Sequence, residues 1–95
     1  MNQVVTFEAY LEEKLSDPQF KQLYEMECEK LDLARKIAEV RQEAGLTQKE
    51  LAERMLTKQQ TISRLENGHY DRYTLKTLQK IALCTGTKLE IDFVR

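Results

Sequence analysis

Hydrophobic residues recur at helical spacing along most of the chain, and this pattern predicts five helices. The first is predicted from Phe7 to about Leu15, with Thr6 as its N-cap. A long second helix is predicted from Pro18 to Ala44, because proline fits the first helical position. The apolar residues of the long helix change face midway, so its first part is expected to serve a different surface. The pattern is compatible with either a continuous or a kinked helix.

Residues 47–68 contain two short amphipathic helices joined by a tight turn. Thr47 and Glu50 have the capping-box spacing that begins the first of them. Thr57 is the predicted cap of the second helix, which ends at the left-handed residue Gly68. The apolar faces are predicted to form the core, with Leu51, Ala52, Met55, Ile62 and Leu65. The outward face carries amides and cations, the groups that read base edges or hold phosphate: Lys58, Gln59, Gln60, Ser63 and Arg64.

After a polar loop over residues 69–73, the fifth helix is predicted from Leu75 to about Leu83, with Thr74 as its cap. Its inward residues are expected to be Leu75, Leu78, Ile81 and Ala82. Residues 88–93 then alternate polar and apolar side chains, as in a half-buried strand whose apolar face is Leu89, Ile91 and Phe93. The sequence predicts no second strand. The strand is therefore expected to pair across a subunit boundary, with its copy in a twin chain or with the sheet edge of another protein.

These elements predict three parts: an N-terminal helical extension over residues 1–32, a helical domain over residues 33–86, and the strand over residues 87–95. Charge divides along similar lines. Residues 1–33 carry three lysines against eight acids, a net charge of −5, whereas residues 34–95 carry 12 basic and 8 acidic residues, a net charge of +4. The basic part is suited to a polyanion and the acidic part to a basic partner. The alternative is that the acids only solvate a helix face.

Other kinds of chemistry find little support in the composition. Cys28 and Cys84 match no metal-binding spacing and are expected to be reduced and structural, and the single histidine, His69, has no nearby ligand group. No nucleophile has a base at a recognisable spacing and no glycine-rich phosphate loop is present, so we expect no enzyme, cofactor, metal or small-molecule substrate. No segment has the pattern of a membrane span or a signal peptide, which predicts a cytoplasmic protein.

The motifs LTQKELA at residues 46–52 and QQTISRLENG at residues 59–68 resemble the helix-turn-helix of the Cro/C1 phage-repressor type, and the likeness covers about residues 33–83. The resemblance implies an all-α fold, a five-helix Cro/C1-like domain in which the second helix of the pair enters the major groove of double-stranded DNA. It also implies a homodimer on a palindromic operator, so that the protein would be nucleoid-associated when bound.

Matched position by position, the resemblance makes Gln48 a brace on the phosphate backbone and Gln59 and Gln60 the base-reading glutamines. Ser63 and Arg64 follow on the same face, and Lys58 would contact phosphate or base. Lys49 completes the predicted DNA-binding set. The alternative for Gln59 and Gln60 is that they are ordinary solvated helix residues.

Two further positions bear on the structure of this motif. Glu66 matches a buried family glutamate that pairs with an arginine of the preceding long helix, which implies an ion pair with Arg41. The turn position usually held by glycine is Leu56, and a left-handed leucine costs roughly 1 to 2 kcal/mol. The turn is therefore expected to be longer or more helical than in the family.

The N-terminal extension, together with the lone strand, resembles the HigA-type antitoxins of bacterial toxin-antitoxin modules. This resemblance implies that the extension binds a small basic ribonuclease toxin of the RelE-like class and that the dimer represses its own promoter. Candidate toxin contacts are Phe7, Tyr10, Leu11, Phe20 and Tyr24, although these residues could instead fold the extension onto the domain. The alternatives to an antitoxin are a stand-alone repressor of the same fold and a helical adaptor that has lost DNA binding.

Overall fold

The computed structural model describes residues 6–69 and 73–95. Its described residues form five helices, in agreement with the predicted all-helical fold. The helices are α1 (Phe7–Leu15), α2 (Pro18–Glu43), α3 (Gln48–Met55), α4 (Gln59–Asn67) and α5 (Leu75–Thr85). The middle of the predicted loop, residues 70–72, and the start of the predicted extension, residues 1–5, lie outside the described part.

Side-chain caps determine where most of these helices begin. The Thr6 and Thr74 hydroxyls each accept a hydrogen bond from a backbone amide of the helix that they begin, at 3.1 and 3.2 Å. At the start of α2, the Asp17 carboxylate accepts a hydrogen bond from the Gln19 amide. Thr47 and Glu50 form the reciprocal capping box of α3. The Thr47 backbone amide lowers the pKa of the Glu50 carboxyl, so this cap weakens only when the pH falls through that lowered value.

The chain divides into two compact units, Met1–Lys30 and Leu31–Arg95, and the boundary falls within α2. The second unit holds the hydrophobic core, in which Leu51, Ile62 and Leu65 are fully buried. In the first unit, α1 has no buried residue, and the buried residues of α2 are Ala34 and Ile37 of the second unit. The described part of the first unit therefore lacks a core of its own.

Two details of the predicted elements are wrong. Thr57 does not cap α4; the cap position is Lys58, which makes no side-chain capping bond. The Thr57 amide instead donates to the Ala52 carbonyl at 2.9 Å, so Thr57 belongs to the turn that closes α3. Leu75 does not face the core: it is 53% exposed, at the first position of α5 and one turn before the part that packs inward.

The turn between α3 and α4 spans residues 56–58. Leu56 has φ 57° and ψ 44°, and its amide donates to the Ala52 and Glu53 carbonyls at the end of α3. The turn is therefore left-handed at Leu56 rather than more helical, as the residue type led us to expect. Leu56 adopts the left-handed conformation, which is unfavourable for leucine. Its side chain is 93% exposed, so it buries no apolar surface that would offset this cost.

We expect Leu56→Gly to stabilise the protein by about 0.5 to 1 kcal/mol. Relief of the left-handed conformation contributes roughly 1 to 2 kcal/mol, and the added freedom of the unfolded chain offsets part of it. Urea unfolding followed by circular dichroism measures the change. Leu83→Gly is the matched control, because Leu83 is 82% exposed inside α5 and its replacement should destabilise by about 1 kcal/mol. A loss of stability in Leu56→Gly would contradict the strain argument.

The predicted C-terminal strand is absent from this single chain. The structure assigns neither helix nor strand to residues 87–95, and Ile91, Phe93 and Val94 are exposed. A strand needs the amide and carbonyl groups of a neighbour, and none of the described residues supplies a pairing strand.

Candidate nucleic-acid interface

The pair of helices α3 and α4 is held by its apolar side. Helix α3 packs against both α4 and α5. Leu51, Ala52 and Met55 of α3 and Ile62 and Leu65 of α4 are all buried, as the pattern predicts. Because one face of each helix is fixed in the core, the opposite faces present a rigid polar surface.

The predicted DNA-binding residues lie on this polar surface. Gln59 and Gln60 are the first two residues of α4 and are exposed. Neither side chain has a hydrogen bond or ion pair with any other described residue, so both carboxamides keep their donors and acceptors available. Lys49, Lys58 and Arg64 are likewise exposed, while Gln48 and Ser63 are half-buried. We name this set of seven residues the polar face.

An ion pair connects α4 to α2. Arg41 Nε donates to Glu66 Oε2 at 2.6 Å and Arg41 Nη2 donates to Glu66 Oε1 at 2.9 Å, so the contact is bidentate. The side chains are 11% and 5% exposed. The structure thus brings together the two residues that the family resemblance pairs, and Glu66 is turned away from solvent.

The same ion pair organises two neighbouring segments. Arg41 Nη1 donates to the Leu46 carbonyl at 2.7 Å, which fixes the loop before α3, and Gln48 Nε2 donates to Glu66 Oε1 at 3.2 Å. The hydrogen bonds to Glu66 raise the pKa of Arg41 above its already high ordinary value. Arg41 therefore remains charged at physiological pH. Its hydrogen bonds, with that of Gln48, connect α2, the start of α3 and α4 through the Glu66 carboxylate.

A helix-turn-helix family model matches residues 37–91, more than half of the chain. The chain belongs to the helix-turn-helix family of the Cro/C1 type. This membership supports a DNA-binding transcriptional regulator that acts on double-stranded DNA. Neither a curated protein nor a solved structure matches the chain.

The helix-turn-helix also contains supporting residues that the sequence did not indicate. The Tyr73 hydroxyl donates to the Leu65 carbonyl at 2.8 Å and so satisfies a carbonyl near the end of α4. Arg54 Nη1 donates to the Cys84 carbonyl at 3.3 Å, which links α3 to α5. Gln48 was expected only as a phosphate brace, yet it also belongs to the Arg41 network. These contacts join residues far apart in sequence, so no local spacing could reveal them.

The candidate partner-binding residues lie in the first unit, outside the matched residues. Phe7 and Tyr10 of α1 are exposed, while Leu11, Phe20 and Tyr24 are half-buried. Phe20 and Tyr24 stack with ring centroids 6.4 Å apart, and a hydrogen bond with Cys28 raises the pKa of the Tyr24 hydroxyl. The surface of this unit is aromatic and acidic.

The described helices offer neither a membrane span nor a cluster of metal ligands. No helix among residues 6–69 and 73–95 is long and apolar enough to cross a membrane. Over the same residues, no group of three or more His, Cys, Asp or Glu side chains is placed to hold a metal ion.

Proposed function

We propose that this helix-turn-helix protein is the antitoxin of a type II toxin-antitoxin module. Its polar face binds a palindromic promoter and represses its own operon, and its acidic N-terminal unit neutralises a basic, RelE-like ribonuclease toxin. The observation that carries the DNA-binding part is the exposure of the unengaged Gln59 and Gln60 carboxamides on a helix fixed by the Arg41–Glu66 pair.

Base reading by this face follows from the chemistry of the carboxamide. A glutamine can offer one donor and one acceptor together, which matches the N6 and N7 groups of adenine in the major groove. Gln59 and Gln60 begin α4, the end of a recognition helix that reaches base edges in this docking geometry. Lys49, Lys58 and Arg64 are exposed cations around them and would hold phosphate.

Toxin binding is supported by the charge and the exposed rings of the first unit. Within Met1–Lys30, six acids make no ion pair with a described residue: Glu8, Glu12, Glu13, Asp17, Glu25 and Glu29. The described part of the unit also exposes Phe7 at 70% and has no core of its own. A basic partner would neutralise the acids and cover the rings, and opposite charge would speed the association. A stand-alone repressor, the second candidate, would use the same DNA-binding face without this partner.

We expect affinity for the promoter fragment to fall steeply as salt rises, because each cation on phosphate releases a condensed counterion on binding. Fluorescence anisotropy of a labelled promoter palindrome at 50 to 200 mM salt, compared with a shuffled duplex, measures both the slope and the preference. A weak, salt-independent response on both duplexes would contradict DNA binding and favour the adaptor.

We expect the chain to co-purify with a small basic ribonuclease encoded in the adjacent reading frame and to suppress its cleavage of RNA. Phe7→Ala combined with Tyr10→Ala should weaken that complex at least tenfold if the two rings are buried in it. Lys21→Ala is the control in the same unit, since it removes an exposed cation rather than an acid or an aromatic ring. Promoter binding with no toxin partner would instead support the stand-alone repressor.

A further inference from the structure

Four of the described residues have a left-handed backbone, and only one of them is not glycine. Gly45, Gly68 and Gly86 have φ between 69° and 72°, and Leu56 has φ 57°. At Gly45 and Gly86 an added Cβ would meet no atom within 4 Å, so these two positions use glycine for its backbone conformation alone. Leu56 therefore departs from the residue type that the rest of the described chain uses for this conformation.

The Leu56 side chain gains nothing from the core of its own chain. It is 93% exposed, the largest value for a large hydrophobic residue in the described part of residues 37–91. The position thus combines an unfavourable backbone conformation with an apolar side chain in water. Strained residues are characteristic of functional sites, where a substitution that relieves the strain commonly impairs function. These two observations together direct attention to a contact outside the chain.

Leu56 lies in the turn that leads into α4. This turn spans residues 56–58, so Leu56 comes three residues before Gln59. Three residues span at most about 11 Å between Cα atoms, which is about the length of three base-pair steps. In helix-turn-helix docking, the first residues of the second helix reach the base edges. Leucine at position 56 would therefore lie within a few base pairs of the contacts that Gln59 makes.

We propose that Leu56 is a further specificity-determining residue, which packs against the C5-methyl group of a thymine beside the bases that Gln59 and Gln60 read. The inference rests on the DNA binding of the proposed function and specifies one base of its target. The thymine methyl is the apolar group that base edges present in the major groove, and apolar side chains contact it. The polar face consists of amides, cations and a hydroxyl, so Leu56 would add the apolar contact that its seven residues lack.

The proposal predicts opposite effects of Leu56→Gly on stability and on binding. The variant is expected to be the more stable protein in urea, because glycine relieves the left-handed strain. Its affinity for the promoter palindrome should fall about tenfold, since each dimer would lose two methyl-sized contacts of about fourfold each. Binding to the shuffled duplex should not change. If Leu56 served only to stabilise the turn, stability and affinity would instead change in the same direction.

Leu56→Asn separates loss of the apolar side chain from the added flexibility of glycine. Asparagine tolerates the left-handed conformation and keeps a branched side chain of similar shape, but its carboxamide is polar. We expect the same tenfold loss of operator affinity as in Leu56→Gly. An Asn variant that binds as tightly as the parent would overturn the methyl contact, because it would show that the turn needs only a side chain of this shape.

The methyl group is tested with a promoter palindrome in which deoxyuridine replaces thymidine. This replacement removes the C5-methyl groups and keeps every base-pairing group. Fluorescence anisotropy on both duplexes gives a double-mutant cycle between the side chain and the methyl, in which methyl contacts of other residues cancel. We expect the parent to prefer the thymidine duplex about tenfold more than Leu56→Gly does. Leu56→Met should retain the preference, because methionine keeps an apolar side chain of similar size.

Leu23→Ala is the control for loss of an exposed leucine. Leu23 is 57% exposed in α2, outside the matched residues, and its replacement should change neither affinity nor thymine preference. An equal thymine preference in the parent and Leu56→Gly would overturn this inference alone, including the case in which Leu56→Gly weakens both duplexes through contact with sugar or a protein. A parent chain that binds the palindrome no better than the shuffled duplex would overturn the proposed function, and this inference with it.

Discussion

Arg41→Met is expected to lower the free energy of unfolding by about 3 to 5 kcal/mol, because it strands a buried charge. The substitution leaves the Glu66 carboxylate, which is 5% exposed, without its bidentate partner and with only the Gln48 amide as a donor. It also removes the donor to the Leu46 carbonyl. Urea unfolding at neutral pH measures the loss. A variant that unfolds at the same or a higher urea concentration than the parent would contradict this assignment.

Arg35→Met is the matched control for charge and helix. Arg35 lies on the same helix, but its side chain is 71% exposed, and its contacts to Glu39 and Asp32 are 3.5 and 3.8 Å long. Exposed pairs of this kind contribute about 0 to 1 kcal/mol because water already solvates both charges. The contrast between the two arginines therefore separates burial of the ion pair from loss of positive charge.

The double variant Arg41→Met with Glu66→Met tests the origin of the effect. If the cost of the single change is a stranded carboxylate, removing that carboxylate should restore much of the lost stability. Additive losses would instead show that each side chain contributes by packing alone. Promoter affinity of the double variant then reports whether the ion pair also orients α4.

Gln60→Ala is expected to weaken binding to the preferred operator far more than binding to random DNA. A bidentate glutamine–adenine contact contributes roughly 1 to 3 kcal/mol to discrimination, and a dimer would lose two such contacts, which corresponds to about 30-fold or more on the operator. The carboxamide has no partner among the described residues, so its removal should leave the fold intact. Anisotropy titrations on operator and shuffled duplexes give the ratio.

Lys58→Ala distinguishes phosphate contact from base reading. Lys58 immediately precedes Gln59 and is exposed, and loss of a phosphate contact should weaken both duplexes similarly and reduce the salt slope by about one per copy. Gln42→Ala, an exposed glutamine of α2, should change neither. Equal losses for Gln60→Ala and Lys58→Ala on both duplexes would contradict the division of roles.

Local patterns were sufficient for most of the helix boundaries. The caps at Thr6, Asp17, Thr47 and Thr74 act within a few residues of themselves, so sequence spacing reports them directly. The cap at Thr57 was wrong because Lys58, not Thr57, holds the cap position of α4, while the Thr57 amide closes the helix before it. Residue type alone does not tell which of two neighbouring residues holds the cap position when tertiary packing fixes the direction of the chain.

The left-handed Leu56 illustrates the same limit in energetic terms. Its residue type predicts a different turn, since the conformation costs roughly 1 to 2 kcal/mol. Helix α3 packs against α4 and α5 in the presence of this turn, and burial of Leu51, Ile62 and Leu65 can offset its cost. For the C-terminal segment, the residue pattern predicts an element that the single chain does not form. Residues 88–93 alternate polar and apolar side chains as a strand does, but a lone strand has no neighbour to accept and donate its backbone hydrogen bonds.

For this protein, the sequence by itself determined the five helices, most of their caps, the family of the helix-turn-helix and the charge difference between its halves, because each depends on residue type and short spacing. Tertiary structure alone decided that Gln48 joins the Arg41–Glu66 pair, that the Tyr73 hydroxyl donates to the Leu65 carbonyl, and which surfaces remain open. Those features depend on contacts between distant residues. Their geometry exists only once the core has brought the helices together.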